Sequence, residues 1–436
     1  MSTSSLTAAV AYSATISAPA LTGAVPEDAA TKAHHLKGGK GFTNPLAGTA
    51  ALEDRHGIIM ACTVDYSKEI AMLTNQRRKL TGQLKSPDTT PPTVPVRKPT
   101  FLPSRQTPTL RATWLGHACY FVEFPGGLRV LFDPVFTPRC SPFSFLGPKR
   151  YTDIPCQIED IPSIDVVVIS HNHYDHLSHP TVTKIKESHP NAQFFVPLGN
   201  KKWFVDCGIH NVTELDWWES RDVQLSSTPS KGKDETTPQT TVKEPSGTKA
   251  RGSTPTSLPD AITATINCLP CQHISARTPF DRGHTLWASW SVTSGDKSVY
   301  FGGDTGYRAV PELPAGTDDY GSEHNYPVCP AFAQIGALRG PFDLGLIPIG
   351  AYDPRWIMSP MHANPMDAVN IFADTRCGRA MGIHWGTWVL TEEDVLEPPR
   401  LLKDALRKKG IAQEGVFDVC DIGESREFSG KGDDTA

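Results

Sequence analysis

Residues Ile164 to Leu177 read Ile-Asp-Val-Val-Val-Ile-Ser-His-Asn-His-Tyr-Asp-His-Leu. The apolar run has the length of a buried β-strand, which we expect to end at Ser170. Three histidines and an aspartate follow at once, namely His171, His173, Asp175 and His176. Neutral imidazoles and carboxylates are the ligand types that divalent zinc prefers. The stretch therefore predicts a metal site in the loop that directly follows a buried strand.

Three later segments each place one further ligand type just after an expected strand. His273 follows the apolar run Ile262–Ile266, Asp304 follows Val299–Phe301, and His384 ends the string Met-Gly-Ile-His. Open α/β sheets carry their active sites at the carboxyl ends of strands. A lone histidine after a strand is more often a structural residue, but together with the first loop the three segments form a set of metal ligands.

From Leu110 onward, short apolar runs alternate with turn residues, and helical patterns lie between them. The expected helices include Pro180–Ser188, Pro365–Thr375 and Arg400–Lys409. Strands interspersed with helices of this length are typical of a layered α/β architecture. We expect one catalytic domain over residues 110–426.

The remaining segments are poor in apolar residues. We expect a disordered tail over residues 1–36, an N-terminal extension with a Pro-rich linker over 37–109, and a C-terminal tail over 427–436. A disordered insertion is predicted at 226–257, and a shorter inserted loop at Pro311–Val328. Within the extension we expect an amphipathic helix, Ser67–Lys85. This helix would either pack on the body of the protein or lie on an anionic membrane.

Composition excludes several classes of protein. The 436 residues carry 42 Lys+Arg against 47 Asp+Glu, a net charge of −5, which argues against a nucleic-acid binder. No apolar run approaches the roughly 20 residues that span a bilayer. The ten scattered cysteines favour free thiols in a reducing compartment. The first 31 residues lack Lys and Arg, so we expect no signal peptide or presequence. An intracellular location follows, in the cytoplasm or peripherally on the cytosolic face of internal membranes.

Several longer strings make the sequence resemble one known family. They are Thr113-Trp-Leu-Gly-His-Ala, Leu146-Gly-Pro-Lys-Arg, the histidine-rich loop, Glu214-Leu-Asp-Trp-Trp, Thr305-Gly-Tyr, Ile349-Gly-Ala-Tyr-Asp-Pro-Arg-Trp, Ile383-His-Trp-Gly-Thr and Leu396-Glu-Pro-Pro. Together they resemble the N-acylphosphatidylethanolamine-hydrolysing phospholipases D of the metallo-β-lactamase superfamily. The resemblance covers Leu110 to Arg426, and Gly41-Phe-Thr-Asn-Pro is similar to the family's N-terminal region. It implies an αβ/βα sandwich, in which two mixed β-sheets are flanked by helices.

The resemblance also implies a site with two zinc ions. One ion would be held by His171, His173 and His273, the second by Asp175, His176 and His384, and Asp304 would bridge them. A metal-bridging hydroxide would attack phosphorus, and Asp175 and Asp304 would be the catalytic carboxylates. The substrate would be N-acylphosphatidylethanolamine in a membrane, and the products N-acylethanolamine and phosphatidic acid.

Five residues outside the ligand set also have expected roles. By resemblance Tyr174 and His362 contact the lipid phosphodiester, although Tyr174 is also interpretable as a packing aromatic and His362 as a surface residue. Asp133 is a candidate acceptor that steadies a ligand histidine. Arg355 contacts an anion or forms a structural salt bridge. His117 is expected to be structural.

Other functions remain open from the sequence. A lactonase or a different phosphodiesterase would use the same fold, and a membrane-associated metal-binding scaffold would bind metal without turnover. As partners we expect a phospholipid substrate, peripheral membrane association and no nucleic acid, and the sequence is compatible with a homodimer. Acyl-chain preference, organelle and native metal stay open.

Overall fold

The computed structural model describes residues 12–20, 23–44, 86–227 and 261–429. Fifteen strands in this part of the chain form two sheets. The strands are β1 Tyr12–Ser17, β2 Leu110–Gly116, β3 Cys119–Glu123, β4 Arg129–Phe132, β5 Val166–Val168, β6 Gln193–Pro197, β7 Val212–Leu215, β8 Ser220–Ser227, β9 Ala261–Leu269, β10 Ser289–Ser294, β11 Lys297–Phe301, β12 Phe342–Pro348, β13 Cys377–Ile383, β14 Phe417–Asp418 and β15 Ser425–Phe428.

Both sheets mix antiparallel and parallel pairs. The seven-stranded sheet has the order β15-β2-β3-β4-β5-β6-β7 and becomes parallel from β4 onward. The eight-stranded sheet has the order β1-β8-β9-β10-β11-β12-β13-β14 and becomes parallel from β11 onward. The predicted sandwich of two mixed sheets is confirmed.

Helices flank these sheets. They are α1 His179–Ser188, α2 Lys201–Asp206, α3 Ala331–Leu338, α4 Arg355–Met358, α5 Pro365–Asp374 and α6 Glu397–Lys408, with 3-10 turns at Ala29–Thr31, Lys37–Gly39 and Ile158–Asp160. None of the helices in the described ranges is long and apolar enough to cross a bilayer. The expected helix Ser67–Lys85 lies outside the described residues.

The buried strands carry apolar side chains on both faces because each sheet is covered on both sides. In β5, Val166 and Val168 belong to the core between the sheets, whereas Val167 belongs to a second core together with Val182 and Ile185 of α1. Successive strand residues point to opposite faces, so a continuous apolar run is what a doubly covered strand requires. This is the reason that Ile164–Ile169 lacks polar alternation.

The chain ends depart from the expected boundaries. Residues Tyr12–Ser17 form β1, which pairs antiparallel with β8, so the prediction of a disordered tail over 1–36 is wrong there. In this edge strand Tyr12 is buried and the serines are exposed, so its composition resembles that of a tail. β8 runs to Ser227, two residues into the expected insertion, and residues 228–260 lie outside the described part. β15 extends to Phe428, so the domain ends two residues later than predicted.

The Pro-rich linker is partly integrated into the domain. Val94 is buried in the core between the sheets, and Val96 forms a β-bridge with Ile422. Trp217, in the Glu-Leu-Asp-Trp-Trp string, is buried and donates its indole N–H to the Trp287 carbonyl at 2.7 Å. Trp217 is therefore part of the core between the sheets. The nine cysteines among the described residues have free thiols.

Candidate metal centre and active site

The candidate ligands lie at strand ends of both sheets. The histidine-rich loop follows β5 of the seven-stranded sheet, while His273, Asp304 and His384 follow β9, β11 and β13 of the eight-stranded sheet. β9 and β11 are both antiparallel to β10, and β11 is parallel to β12 and β13, so β9, β11 and β13 run in one direction. Their carboxyl ends therefore share one edge. The structure brings all seven predicted ligands together there.

A first group of ligand atoms surrounds His173. Its Nδ1 lies 2.8 Å from His171 Nε2 and 3.2 Å from His273 Nε2. Asp304 Oδ2 lies 3.9 Å from His171 Nε2 and 3.6 Å from His273 Nε2. One atom from each of the four residues lies within 4.8 Å of the others, close enough to hold a metal ion.

A second group surrounds Asp175. Its Oδ2 lies 3.3 Å from His176 Nε2, 3.4 Å from His384 Nε2 and 3.0 Å from His117 Nε2. Asp304 Oδ2 also lies 3.2 Å from His176 Nε2 and 3.0 Å from His384 Nε2. A single carboxylate oxygen thus faces both groups, which is the position that the family resemblance implies for Asp304.

Hydrogen bonds on the far side of the rings set their orientation. His176 Nδ1 lies 2.6 Å from Asp133 Oδ2, His273 Nδ1 lies 2.9 Å from the Met361 carbonyl oxygen, and His171 Nδ1 lies 2.9 Å from Ser170 Oγ. In each case the Nε2 atom faces the site. A second hydrogen bond of this kind fixes the tautomer of a metal-ligating histidine. The expected role of Asp133 is thereby confirmed.

The donor set fits divalent metal ions. His176 Nε2 and Asp304 Oδ1 are buried and have no hydrogen-bond partner within the described ranges. Unpartnered buried polar atoms are costly unless a ligand satisfies them. Imidazole nitrogens and carboxylate oxygens converge here, and they are suitable ligands for zinc or a similar ion.

Burial and mutual charge displace the pKa values of these groups. Burial disfavours a charge on Asp304, but His176 and His384 hold its pKa well below the usual value. Burial likewise opposes protonation of His384, but Asp304 and Asp175 raise its pKa to about 9. Burial and the neighbouring imidazoles lower the pKa of His171. Protons therefore occupy part of the site in the metal-free chain.

His117 is a site residue that the sequence prediction missed. It lies in the turn between β2 and β3, with a φ of 53°, and its ring centroid is 4.1 Å from that of His384. Its carbonyl oxygen accepts the His384 backbone N–H at 3.1 Å, while its Nε2 contacts Asp175. Burial lowers its pKa to about 3. The signal available in the sequence was the place of His117 in the string Thr113-Trp-Leu-Gly-His-Ala, which is one of those that carry the family resemblance.

The three predicted substrate contacts have different surroundings. His362 Nδ1 lies 3.8 Å from Asp304 Oδ2 and has no hydrogen-bond partner among the residues described. Its side chain is 12% exposed, against 1% for that of Asp304. Tyr174 lies beside the site, packed against the small apolar cluster of Val135, Cys140 and Trp388.

Arg355 forms the structural salt bridge that we weighed as the alternative. Its guanidinium lies 2.8 Å from Asp319 and 2.9 Å from Asp367. Both partners are remote in sequence, so the pairing was not visible there. The prediction of an anion contact is not supported by this geometry, because the guanidinium is already neutralised.

Arg277 is a second residue that sequence reasoning missed. Its guanidinium lies 3.9 Å above the Tyr174 ring and donates to the carbonyl oxygens of Asn172 and Leu177 at 2.9 and 2.6 Å. Asn172 lies within the ligand loop, between His171 and His173, and Leu177 directly follows it. Arg277 therefore holds the loop in its curved conformation.

Comparisons with known proteins agree with the geometry. A sequence model described as a beta-lactamase superfamily domain matches residues 128–385. The N-acyl-phosphatidylethanolamine-hydrolyzing phospholipase D 1 of Caenorhabditis elegans is 37% identical over 77% of this chain and 81% of its own length. The mitochondrial protein of that name from Saccharomyces cerevisiae is 30% identical over 67% of this chain and 50% of its own. The metallo hydrolase Igni18 of Ignicoccus hospitalis, a solved structure, is 19% identical with a TM-score of 0.41 over 74% of this chain and 100% of its own.

Proposed function

Because the chain belongs to the beta-lactamase superfamily and, within it, to the N-acylphosphatidylethanolamine-hydrolysing phospholipase D family, we propose that it hydrolyses N-acylphosphatidylethanolamine to N-acylethanolamine and phosphatidic acid with two zinc ions. The chain is a metal-dependent hydrolase. The reaction is the cleavage of a phosphodiester by water, in which phosphatidic acid keeps the oxygen of the water and N-acylethanolamine receives a proton.

The observation that carries the proposal is the position of Asp304 between two ligand groups. Its Oδ2 lies within 3.9 Å of a nitrogen from His171, His273, His176 and His384. His171, His173 and His273 would hold one ion, and Asp175, His176 and His384 the other. When bound, two such ions supply Lewis acidity and lower the pKa of water to near neutral.

The remaining residues position the reactants. Asp175 is the candidate ligand carboxylate with the more exposed side chain, 14% against 1% for Asp304. Its carboxylate would accept a hydrogen bond from the attacking water. His362 lies beside Asp304, and its Nδ1 has no hydrogen-bond partner among the described residues. Burial lowers its pKa to about 4, so it is neutral at physiological pH and would donate its N–H to a phosphoryl oxygen.

The test combines metal content with lipid products. Purified protein is incubated with N-acylphosphatidylethanolamine in mixed micelles, and the release of N-acylethanolamine is followed by mass spectrometry. His173→Ala should lose metal and turnover together, whereas His210→Ala, a change at an exposed histidine, should keep both. Unchanged turnover in metal-depleted His173→Ala would refute the proposal. Preferential hydrolysis of a lactone or another phosphodiester would identify the alternative substrate classes.

Two exposed apolar loops support peripheral membrane association. Phe143, Phe145 and Leu146 are 50%, 77% and 60% exposed, and Phe280 is 90% exposed. The first loop begins at Cys140, which lies in the cluster that packs against Tyr174. The second begins near Arg277, which stacks on the same tyrosine. Both loops thus start beside the site, where a lipid headgroup would enter.

Liposome co-sedimentation tests this membrane contact. Phe145→Ser combined with Phe280→Ser should weaken liposome binding, because the two changes remove the exposed phenyl rings that would insert into the bilayer. Val328→Ser, at an exposed apolar residue outside both loops, is the control. Equal liposome binding of the wild type, the double variant and the Val328→Ser control would show that the two loops do not bind the membrane. The homodimer, the intracellular location and the lack of nucleic-acid binding stay predictions, which sedimentation, fractionation and a binding assay would test.

A further inference from the structure

Three side chains of the N-terminal segment contact a buried carboxylate outside the metal centre. Asp216, whose side chain is 3% exposed, lies 3.0 Å from Lys32 Nζ, 2.7 Å from His34 Nε2 and 2.8 Å from His35 Nε2. The Trp217 backbone N–H donates to the same carboxylate at 2.9 Å. Both oxygens of Asp216 are therefore engaged, mostly by residues about 180 positions earlier in the chain.

The segment has a defined conformation where it meets the domain. The His34 ring stacks on Trp217 with centroids 4.2 Å apart, and His35 forms a β-bridge with Phe42. The Phe42 backbone N–H donates to the Gly283 carbonyl at 2.8 Å. At Gly41 a Cβ atom would lie 2.3 Å from that carbonyl oxygen, so only glycine permits this approach. We refer to residues 32–44 as the N-terminal clasp.

The clasp ends at the metal centre. Asn44 Oδ1 accepts the backbone N–H of His273 at 2.9 Å. On its other side, His273 donates from Nδ1 to the Met361 carbonyl oxygen. The backbone and the ring of this candidate ligand are therefore fixed by two segments that are far apart in sequence. A ligand held in this way loses little freedom when a metal ion binds.

We propose that Asn44 is a positioning residue of the metal centre, held in place by the contacts of Lys32, His34 and His35 with Asp216. The inference rests on the proposed metal-dependent activity. His34, His35 and Asp216 could themselves hold a metal ion. The Lys32 ammonium beside the carboxylate disfavours that use, since it would repel a cation, and it favours a hydrogen-bonded anchor.

The experiment compares two changes at the same position. Asn44→Leu keeps the size of the side chain and removes the acceptor, whereas Asn44→Asp restores an acceptor. Asn267→Leu is the control, because Asn267 is a buried asparagine with side-chain hydrogen bonds and lies on β9, the strand that leads to His273. The double change of Lys32→Gln and His35→Gln weakens the contacts that anchor the clasp to Asp216. Both positions are partly exposed, so the fold of the domain should stay intact.

Two measurements are made on the full-length proteins. The first is the rate of zinc loss to a chelator from the loaded protein. Asn44→Leu should lose one of its ions about 10–100-fold faster, as for other partners of ligand histidines. Asn44→Asp should return to the wild-type rate, and Asn267→Leu should keep it. The second measurement is amide hydrogen exchange of the peptide that contains His273, in metal-free protein. Exchange should be faster in Asn44→Leu and in the double variant.

Each outcome decides between the explanations. Equal zinc loss in wild type and Asn44→Leu, or no recovery in Asn44→Asp, overturns the positioning role. If amide hydrogen exchange of the His273 peptide is unchanged in the double variant, the contacts with Asp216 do not hold Asn44 in place. A third equivalent of zinc that is lost in the double variant would identify the Asp216 cluster as a metal site instead of an anchor. If the wild type binds no metal at all, the proposed function fails, while the exchange measurement still tests the clasp.

Discussion

Replacing Asp133 by asparagine tests whether an outer hydrogen bond determines metal affinity. Asp133 lies after β4 and is almost fully buried. Its Oδ2 accepts the His176 Nδ1–H at 2.6 Å, its Oδ1 accepts the Ser170 backbone N–H at 2.7 Å, and the Ser170 hydroxyl donates to it as well. Asparagine has nearly the same shape, but it has one acceptor oxygen and no charge. In Asp133→Asn, either His176 or Ser170 must lose its acceptor.

The magnitude follows from the bond that is lost. A hydrogen bond to a charged group contributes about 1.5–3 kcal/mol. Since about 1.4 kcal/mol corresponds to a factor of ten in affinity, the expected loss in metal affinity is about 10–100-fold. Metalloproteins whose ligand histidines lose such a partner show the same range. The loss should fall on the group of Asp175, His176 and His384, because Asp133 contacts none of the residues of the other group except through Ser170.

Competition with a chromophoric zinc chelator measures this effect. The control is Asp343→Asn, at the opposite end of β12 from the metal centre, where the carboxylate lies 3.4 Å from Lys297 and accepts the Ser298 N–H. It should change the melting temperature without altering zinc affinity. Wild-type affinity in Asp133→Asn, or an equal loss in both variants, would refute the reasoning.

Three further predictions concern protons, packing and charge. Zinc added to metal-free protein near neutral pH should release protons, measured in a pH-stat, because Asp304 raises the pKa of buried His384 to about 9; the release should fade as the pH rises through that value. Gly303→Ala should lower the free energy of unfolding in urea by about 1–3 kcal/mol, since a Cβ there would lie 2.6 Å from Ser170 Cβ at a φ of 56°. Arg355→Met should lower the free energy of unfolding by about 1.5–3 kcal/mol, because it removes the closer of two guanidinium groups beside buried Asp367 and leaves Arg308 at 3.8 Å, while the KM for lipid stays unchanged. A raised KM with normal stability would restore the substrate role.

The seven candidate ligands were predictable because each follows a strand end within a few residues. Local spacing placed His171, His173, Asp175 and His176 in one loop, and the parallel arrangement of strands brought the others to the same edge. Asp133 was foreseen for the same reason, since it directly follows β4. Alternating apolar runs predicted a layered α/β architecture, whereas the sandwich of two sheets was implied by the resemblance to a family.

What sequence reasoning missed depends on contacts between distant segments. Nothing near Arg355 in the sequence reveals that its guanidinium meets Asp319 and Asp367. His117 lies in a turn, and its contact with Asp175 arises only when β2 packs beside the β5 loop. The strand Tyr12–Ser17 has the composition of a tail, and it is ordered because β8 offers it an edge.

The expected insertion begins and ends far from the metal centre. The described residues stop at Ser227 and resume at Ala261, and Ser226 pairs with Ala261, so the two ends of the expected insertion are neighbours in the sheet. Ala261 begins β9, whereas His273 lies beyond the other end of that strand. Nine residues at about 3.3 Å each separate these ends by about 30 Å. The geometry of the ligands is therefore determined at the carboxyl end of β9, whereas the expected insertion joins the sheet at the amino end of this strand.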